Sequence, residues 1–429
     1  MADAEHTRHL RDLRVPEVRI VSLGALTTQE TGGEVLADVT SNLISVEVTR
    51  NASGPGEYKL TLNNWDQHTR THKYNDLEVI RFARRLRIDM RYLADQHEMI
   101  HDTNAKAPGW VPMIAGPITD LQFSFGSEGS RLSVNGEDDL RPLKDHNLDA
   151  KKFKSNELDI ISKILRDIAH YPLELTYRKN PPAWLAFFYD EHNKINETLA
   201  KGQSYLNYVQ KFIDKYDLEL YLSFDPPDQV TSPQRQLLNL MPSRAHDGPL
   251  ELIIILRYGH ELLDFSPTIK VADMFTSARV RGRNLHRDEP SGVDGKATVA
   301  YVQAEVNAYC EGTEKLVPAP EVRRRFFPGE NPSDDGEKTN LDEYRAEATA
   351  RTTLLRKSRE LVVVQASTIG LPRLRPRRYV RFEGIDPLFD GVYYVTTTTH
   401  TWGSDGAKTR FTAQRAGLPL PAAQKGTAV

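Results

Sequence analysis

Ile369-Gly-Leu-Pro-Arg-Leu-Arg-Pro-Arg-Arg-Tyr-Val-Arg-Phe382, then Phe389-Asp-Gly-Val-Tyr-Tyr-Val-Thr-Thr-Thr-Thr-His400, then Thr409-Arg-Phe-Thr-Ala-Gln-Arg415, decide how this chain is read. These segments hold no catalytic nucleophile, no ligand cluster and no phosphate loop. They are short β-branched and aromatic runs with Gly, Pro and Asp between them, the composition of strands and turns. The chain therefore ends in a strand series.

The other end reads the same way. Val18 and Ile20 alternate with Glu17 and Arg19. Ile44, Val46 and Val48 alternate with Ser45, Glu47 and Thr49. Tyr58, Leu60 and Leu62 form a third run, and Leu86, Ile88 and Met90 a fourth. A two-residue period puts one face in a core and the other in a polar setting, as in an antiparallel sheet or barrel. Asn51 to Gly56 supplies a turn. The stretch from Gly116 to Phe125 and that from Arg131 to Gly136 read as a hairpin.

In the middle the period changes. Ser155 can cap a helix whose face is Leu158, Ile161, Ile164, Leu165 and Ile168. A strand over Tyr171–Tyr177 follows. The pattern returns with Tyr205, Leu206, Val209, Phe212 and Ile213, then Tyr216–Leu222. Ile168, Tyr171, Leu173, Glu174 and Leu175 match Ile213, Tyr216, Leu218, Glu219 and Leu220, about 45 positions on, too few copies for a solenoid. The expectation is one small helix–strand duplicated domain.

Residues 226–249 read as a linker rich in Pro, Gln, Ser and Asp. Leu250–Leu256 suits a strand buried on both faces, and Lys296–Val306 reads as a further alternating run. Residues 311–340 are charged and broken by Pro and Gly, so they are expected as an excursion. Asn340 with Glu343 opens a helix over 341–360. The expected division is a flexible arm at 1–14, a first β domain at 15–150, the small α/β domain at 151–225, the linker, a second β domain at 250–415 and a flexible tail at 416–429.

The 429 residues, 39% hydrophobic and 27% charged, can bury the cores of several domains. A net charge of −3 speaks against a dedicated nucleic-acid site. Cys310 stands alone, so neither an internal disulfide nor a thiolate zinc cage is available. The N-terminus shows no apolar signal segment, and no run is long enough for a spanning helix, so synthesis in the cytoplasm without a membrane anchor is expected.

Some signals invite chemistry. His97-Glu98-Met-Ile-His101 fits H-E-x-x-H, in which two histidines on one helical face hold Zn²⁺ and the glutamate activates water. A strand pattern just before it and Asp102–Gly109 just after it favour a polar loop without metal. Arg323, Arg324 and Arg325, beside Phe326 and Phe327, form a basic run diluted by Glu330, Asp334 and Asp335. Arg373, Arg375, Arg377, Arg378 and Arg381 form another, read as arginines on strands lining a lumen, an interface or a solvent-facing edge. Trp184, Phe187, Phe188 and Tyr189 could be an exposed patch, but burial under the small domain is the better reading. No cofactor site is expected.

The closing segments, Met113–Leu121 with Leu132–Asp138, the helix–strand duplication, and Leu256–Pro267 followed by Ala278–Gly282 together resemble the phage late control D family. That family comprises contractile tail baseplate hub proteins, related to the hub part of type VI secretion spike proteins. The resemblance covers about 16–415. It implies a mainly β fold with an α+β insertion: two tail-tube-like antiparallel β-barrels plus the small duplicated domain. It implies a structural, non-catalytic homotrimer, a pseudo-sixfold ring joining a hexameric tail tube to a trimeric spike. Its partners would be the tube protein, baseplate wedge or other hub components, and a separate spike protein, since no spike segment follows Arg415. By the same resemblance the end of the chain, Gly417, Leu418, Pro419, Leu420 and Pro421, would face that spike. The hub of a non-contractile tail is the neighbouring reading, and a zinc metallopeptidase using His97, Glu98 and His101 is the rival from another class.

Overall fold

The computed structural model describes residues 17–26, 33–91, 110–127, 129–147, 149–199, 201–224, 236–244, 253–283, 292–309, 315–339 and 341–420. The arm at 1–14, the His97–His101 motif, Cys310 and Pro421 lie outside the described residues.

The first strand region holds β1 (Glu17–Leu23), β2 (Leu43–Asn51), β3 (Glu57–Asn63), β4 (Arg85–Arg91), β5 (Val111–Gly126) and β6 (Gly129–Glu137). The alternating residues become its core: Ile20, Val46, Val48, Tyr58, Leu60, Leu62, Leu86, Ile88, Leu132 and Val134 are all buried. The predicted hairpin is β5–β6, paired from Ile118↔Gly136 to Gly126↔Gly129. Gly116 in β5 is needed for closeness. A Cβ there would sit 2.0 Å from the Glu137 carbonyl oxygen.

The small domain opens with a strand at Lys151–Ser155, paired antiparallel with Ile195–Leu199, and continues into α1 (Glu157–Lys163), extended by a π-helical turn over Ile164–Ile168. Its cap is Asn156, not Ser155: Asn156 Oδ1 accepts the Asp159 N–H at 2.7 Å. The strand β7 (Leu175–Tyr177) follows, then α2 (Tyr205–Tyr216) and β8 (Leu218–Phe224). Both halves of the sequence repeat thus give a helix and then a strand. The two strands do not touch each other. Each pairs with β9 (Gln236–Pro242), β7 in parallel and β8 antiparallel. The stretch 226–249, expected as a linker, therefore supplies the central strand of this sheet. Gln236, Leu238, Asn239, Leu240 and Pro242 are buried, so tertiary pairing outweighs the loop-like flanks.

The second region holds β10 (Ile254–Arg257), β11 (Leu262–Ile269), β12 (Ser277–Arg283), β13 (Gly292–Ala297), α3 (Val299–Tyr309), α4 (Ala319–Phe326), β14 (Pro332–Thr339), α5 (Glu343–Arg359), β15 (Val362–Ile369), β16 (Tyr379–Glu383), β17 (Gly391–Gly403), β18 (Gly406–Arg415) and β19 (Gly417–Leu418). Several expectations change here. Lys296–Val306 is the end of a strand and most of a helix. In β10 only Leu256 is fully buried, so the strand is not covered on both faces. The excursion at 311–340 contains α4 and β14. The strand β14 has almost no apolar residues and becomes a strand by parallel pairing with β12. The helix expected at 341–360 is α5, capped by Asp342, whose side chain accepts the Arg345 N–H at 2.8 Å.

The strand pairing does not separate two barrels. Among the described residues, thirteen strands form one mostly antiparallel sheet with an open path, β11-β15-β18-β17-β2-β3-β6-β5-β4-β1, ending at Glu34–Val35. The two regions join because β17 changes neighbour along its length. Its start pairs with β16, Tyr379↔Tyr394 to Phe382↔Gly391. Its end pairs with β2, from Thr397↔Asn51 to Trp402↔Val46. A bulge between Val395 and Thr397 marks the change.

Candidate functional site

The predicted spike-facing segment is partly built into the fold. Gly417 and Leu418 form β19, antiparallel to Val317–Pro318. Leu418 is buried in the core of the second region, and Leu420 packs against that core. The reading of the whole 416–429 segment as a flexible tail is corrected for its first residues. The cause is the pairing with Val317–Pro318, a stretch that the charged sequence around it concealed.

The two basic runs are not free cationic patches. Arg323, Arg324 and Arg325 lie in the last turn of α4, where cations complement the helix dipole. Arg323 donates to the Ala272 carbonyl at 3.0 Å and Arg324 bonds Glu330 at 3.0 Å. In the second run Arg373, Arg375, Arg377 and Arg378 precede β16 rather than alternate along it. Arg375 donates to the Pro112 carbonyl at 3.1 Å. Arg377 donates to the carbonyls of Asn51 and Ala52, both at 3.1 Å, and stacks 3.5 Å above the Tyr221 ring. These arginines tie the second region to the first region and the small domain. The lumen-lining and edge readings do not hold for Arg375 and Arg377.

The aromatic cluster is core. Phe187 and Phe188 are buried, and Trp184 and Tyr189 pack against the same cluster. Phe188 meets Tyr216 edge to face at 5.8 Å.

The strongest constellation was missed in the sequence: a strap of arginines on α5. Arg345 grips buried Glu157 of the small domain at 2.6 and 2.8 Å and also bonds Asp342. Arg351 lies 3.8 Å over Trp184. Arg356 bonds Asp214 at 2.8 Å and the Ile213 carbonyl at 2.9 Å. Arg359 bonds Asp217 and Glu305. Burial opposes the charge of Arg359, yet these two carboxylates hold its pKa well above the ordinary value. In turn burial works against Asp217 and Glu305, and Arg359 still keeps both below the usual carboxylate range. The arginine spacing, 345, 356 and 359, is a periodic signal on a helix. Read alone it describes a solvated face, so only the partners reveal its role.

Gly295 lets α5 come close to β13, since a Cβ there would lie 2.1 Å from the Ala346 carbonyl carbon. The helix is thus clamped between the small domain and the second region.

No group of His, Cys, Asp and Glu among the described residues could hold a metal ion. No helix among them is long and apolar enough to cross a membrane.

No protein-family model and no curated protein matches the chain. Solved structures do. The fold is similar to the 43 kDa tail protein of prophage MuSo2 from Shewanella oneidensis, with a TM-score of 0.55 and 12% identity over 94% of this chain and 98% of that one. It is similar to a tail protein from Neisseria meningitidis MC58, with a TM-score of 0.54 and 11% identity over 94% and 97%. It also matches a chain of the Francisella PdpA–VgrG complex, with a TM-score of 0.52 and 10% identity; 97% of this chain is covered but only 61% of that one. The fold is therefore that of phage tail proteins across most of the chain.

Proposed function

We propose that this chain, with its phage-tail fold, is the structural baseplate hub of a contractile tail or related contractile injection system. Three copies form a pseudo-sixfold ring that joins a hexameric tail tube to a trimeric spike. One observation carries the reading: two antiparallel strand regions of one chain are joined edge to edge along β2 and β17. Three chains would then present six such regions around an axis, while the assembly as a whole keeps three-fold symmetry. The sheet path ends in two edge strands, β11 and Glu34–Val35. Such edges are natural places for a neighbouring chain to complete a tube-like wall.

The small domain, strapped by α5, is a rigid appendage of this ring. The tube protein, wedge or other hub components and a separate spike are its partners, and a virion tail or injection particle is its location. Catalysis forms no part of the proposal. At the spike side, Leu418 is committed to the core, so contact would fall to Pro419 and the residues after it.

Co-expression with the spike protein tests the reading. Light scattering should give three copies of each chain in the complex. A persistent monomer or dimer of the hub in that complex would sink it.

A further inference from the structure

Two stretches far apart in the chain share one pattern: Phe125-Gly-Ser-Glu-Gly-Ser-Arg131 and Trp402-Gly-Ser-Asp-Gly-Ala-Lys408. Each reads aromatic, Gly, Ser, acid, Gly, small, basic. Each is the tip of a long hairpin, one in the first strand region and one in the second. β5 turns into β6 with Gly126 opposite Gly129, and β17 turns into β18 with Gly403 opposite Gly406. The backbones match as well. Gly129 has φ 103° and Gly406 φ 89°, so both turns need glycine at the same place.

The register puts both tips at one end of the sheet. Trp402 stands opposite Val46 of β2, Leu43 opposite Leu62 of β3, Asn63 opposite Arg131 of β6, and Arg131 opposite Ser124 of β5. Sheet twist over the three strand steps from β17 to β6 amounts to about 60–75°, under a right angle, so the tips diverge but leave by the same end. The C-terminal segment leaves by the other. Gln414 pairs with Tyr394 near the start of β17, and the chain passes from Arg415 into β19.

Ser127, Ser404 and Asp405 are exposed. Phe125 is 62% exposed. His72 meets its ring edge to face at 5.0 Å, and Trp65 meets His72 at 5.3 Å. Buried Asn64 anchors the short hairpin that carries Trp65 and His72: it donates to Ser130 Oγ at 3.2 Å and accepts the Tyr74 N–H at 3.0 Å. Phe125 is thus propped in place, and holding it still on binding costs little. Trp402 packs partly on the first region's core, so its tip offers mainly Ser404 and Asp405.

We infer that these two tips are the docking points for the tail tube, each taking an equivalent place on one subunit of a hexameric ring. The inference rests on the hub reading. A partner of six equal subunits asks for six equal contacts, and three chains with two matched tips each supply them. A neighbouring copy within the ring would meet the free sheet edges, and a spike at the C-terminal segment would lie at the far end.

Binding of purified tube protein to the full hub–spike complex tests it. Glu128→Lys with Asp405→Lys reverses the acid of both turns, and Phe125→Ser removes the exposed ring. Both variants should keep the parent's melting temperature and three copies each of hub and spike, and should hold tube protein about tenfold more weakly. Undiminished retention in either variant overturns the inference and leaves the hub reading standing, as does a parent complex that takes up no tube protein. Loss of the spike or of the trimer in place of the tube also overturns it, since the tips would then face the spike or a second copy. A parent hub that forms no such complex with its spike sinks the hub reading itself.

Discussion

Arg359 holds Asp217 through two charge-assisted hydrogen bonds, 2.5 and 2.8 Å long, across 142 residues of sequence. Asp217 ends α2 with a left-handed backbone, φ 52°, a conformation that costs a side-chain-bearing residue some energy. The same guanidinium takes Glu305 of α3 at 2.9 and 2.6 Å. One side chain thus fixes the end of the small domain's helix and the helical layer of the second region.

Arg359→Leu should therefore be among the most destabilising single changes. It leaves two buried carboxylates short of their cation, a loss of about 3–5 kcal/mol. Urea unfolding of the purified chain measures it. A loss below about 1 kcal/mol would mean that Arg244 and Arg356 can replace it.

The pH dependence should have two opposite parts. Asp217 and Glu305 are held below the usual range, so their contribution is present above the unfolded pKa, about 4, and is lost as pH falls through the folded values. Asp138 is pushed up to about 7, so between about 4 and 7 the folded chain holds a proton that the unfolded chain releases. Its effect weakens the fold as pH rises through that window. Carbon-detected NMR of the Asp138 carboxyl should give a midpoint near 7, and an ordinary carboxylate midpoint would refute the burial argument.

Gly295→Ala should loosen α5. The added Cβ has backbone of Ala346 2.1 Å away, so the helix must shift, at a cost of about 1–3 kcal/mol. Limited proteolysis should then release the small domain faster than in the parent chain. Equal release rates would show that the helix adjusts without freeing its partners.

Two truncations separate the roles of the C-terminal end. Stopping after Arg415 removes β19 and the buried Leu418, so it should lower stability before any question of assembly arises. Stopping after Leu420 leaves that strand in place. Weaker retention of the spike by this second truncation, with an unchanged melting temperature, is the expected result. Full retention would make the last nine residues dispensable.

Most strands were legible because they have one wetter and one dry face, so Val46, Val48, Leu60 and Leu62 announce themselves by period; in β4 the alternation hides that Arg85, Arg87 and Asp89 on the polar face are buried too. The helix–strand duplication was legible for the same reason. The strand β14 was not, since Pro332-Ser-Asp-Asp-Gly-Glu-Lys-Thr339 carries no apolar period and owes its form to β12. The strand β9 was hidden by its flanks. Of the site, the arginines of 373–381 were visible but their direction was not: Arg375 and Arg377 turn toward carbonyls supplied by residues far away in the chain. The burial of Arg50, Thr398 and His400 where β2 meets β17 left no trace, because nothing local distinguishes them from exposed strand polars.

The ladder between β2 and β17 also sets a timetable for synthesis. Thr49 meets Thr399 only after 350 further residues have been made. At roughly 5–20 residues per second a ribosome needs on the order of 20–70 s for that. Throughout this interval the early strands can pair among themselves, but one rim of β2 waits with its N–H and C=O groups unclaimed. A nascent chain in this state is a target for chaperones and for other nascent copies on the same message. A product that terminates before Gly391 would keep that rim for good, and should be recovered in the insoluble fraction.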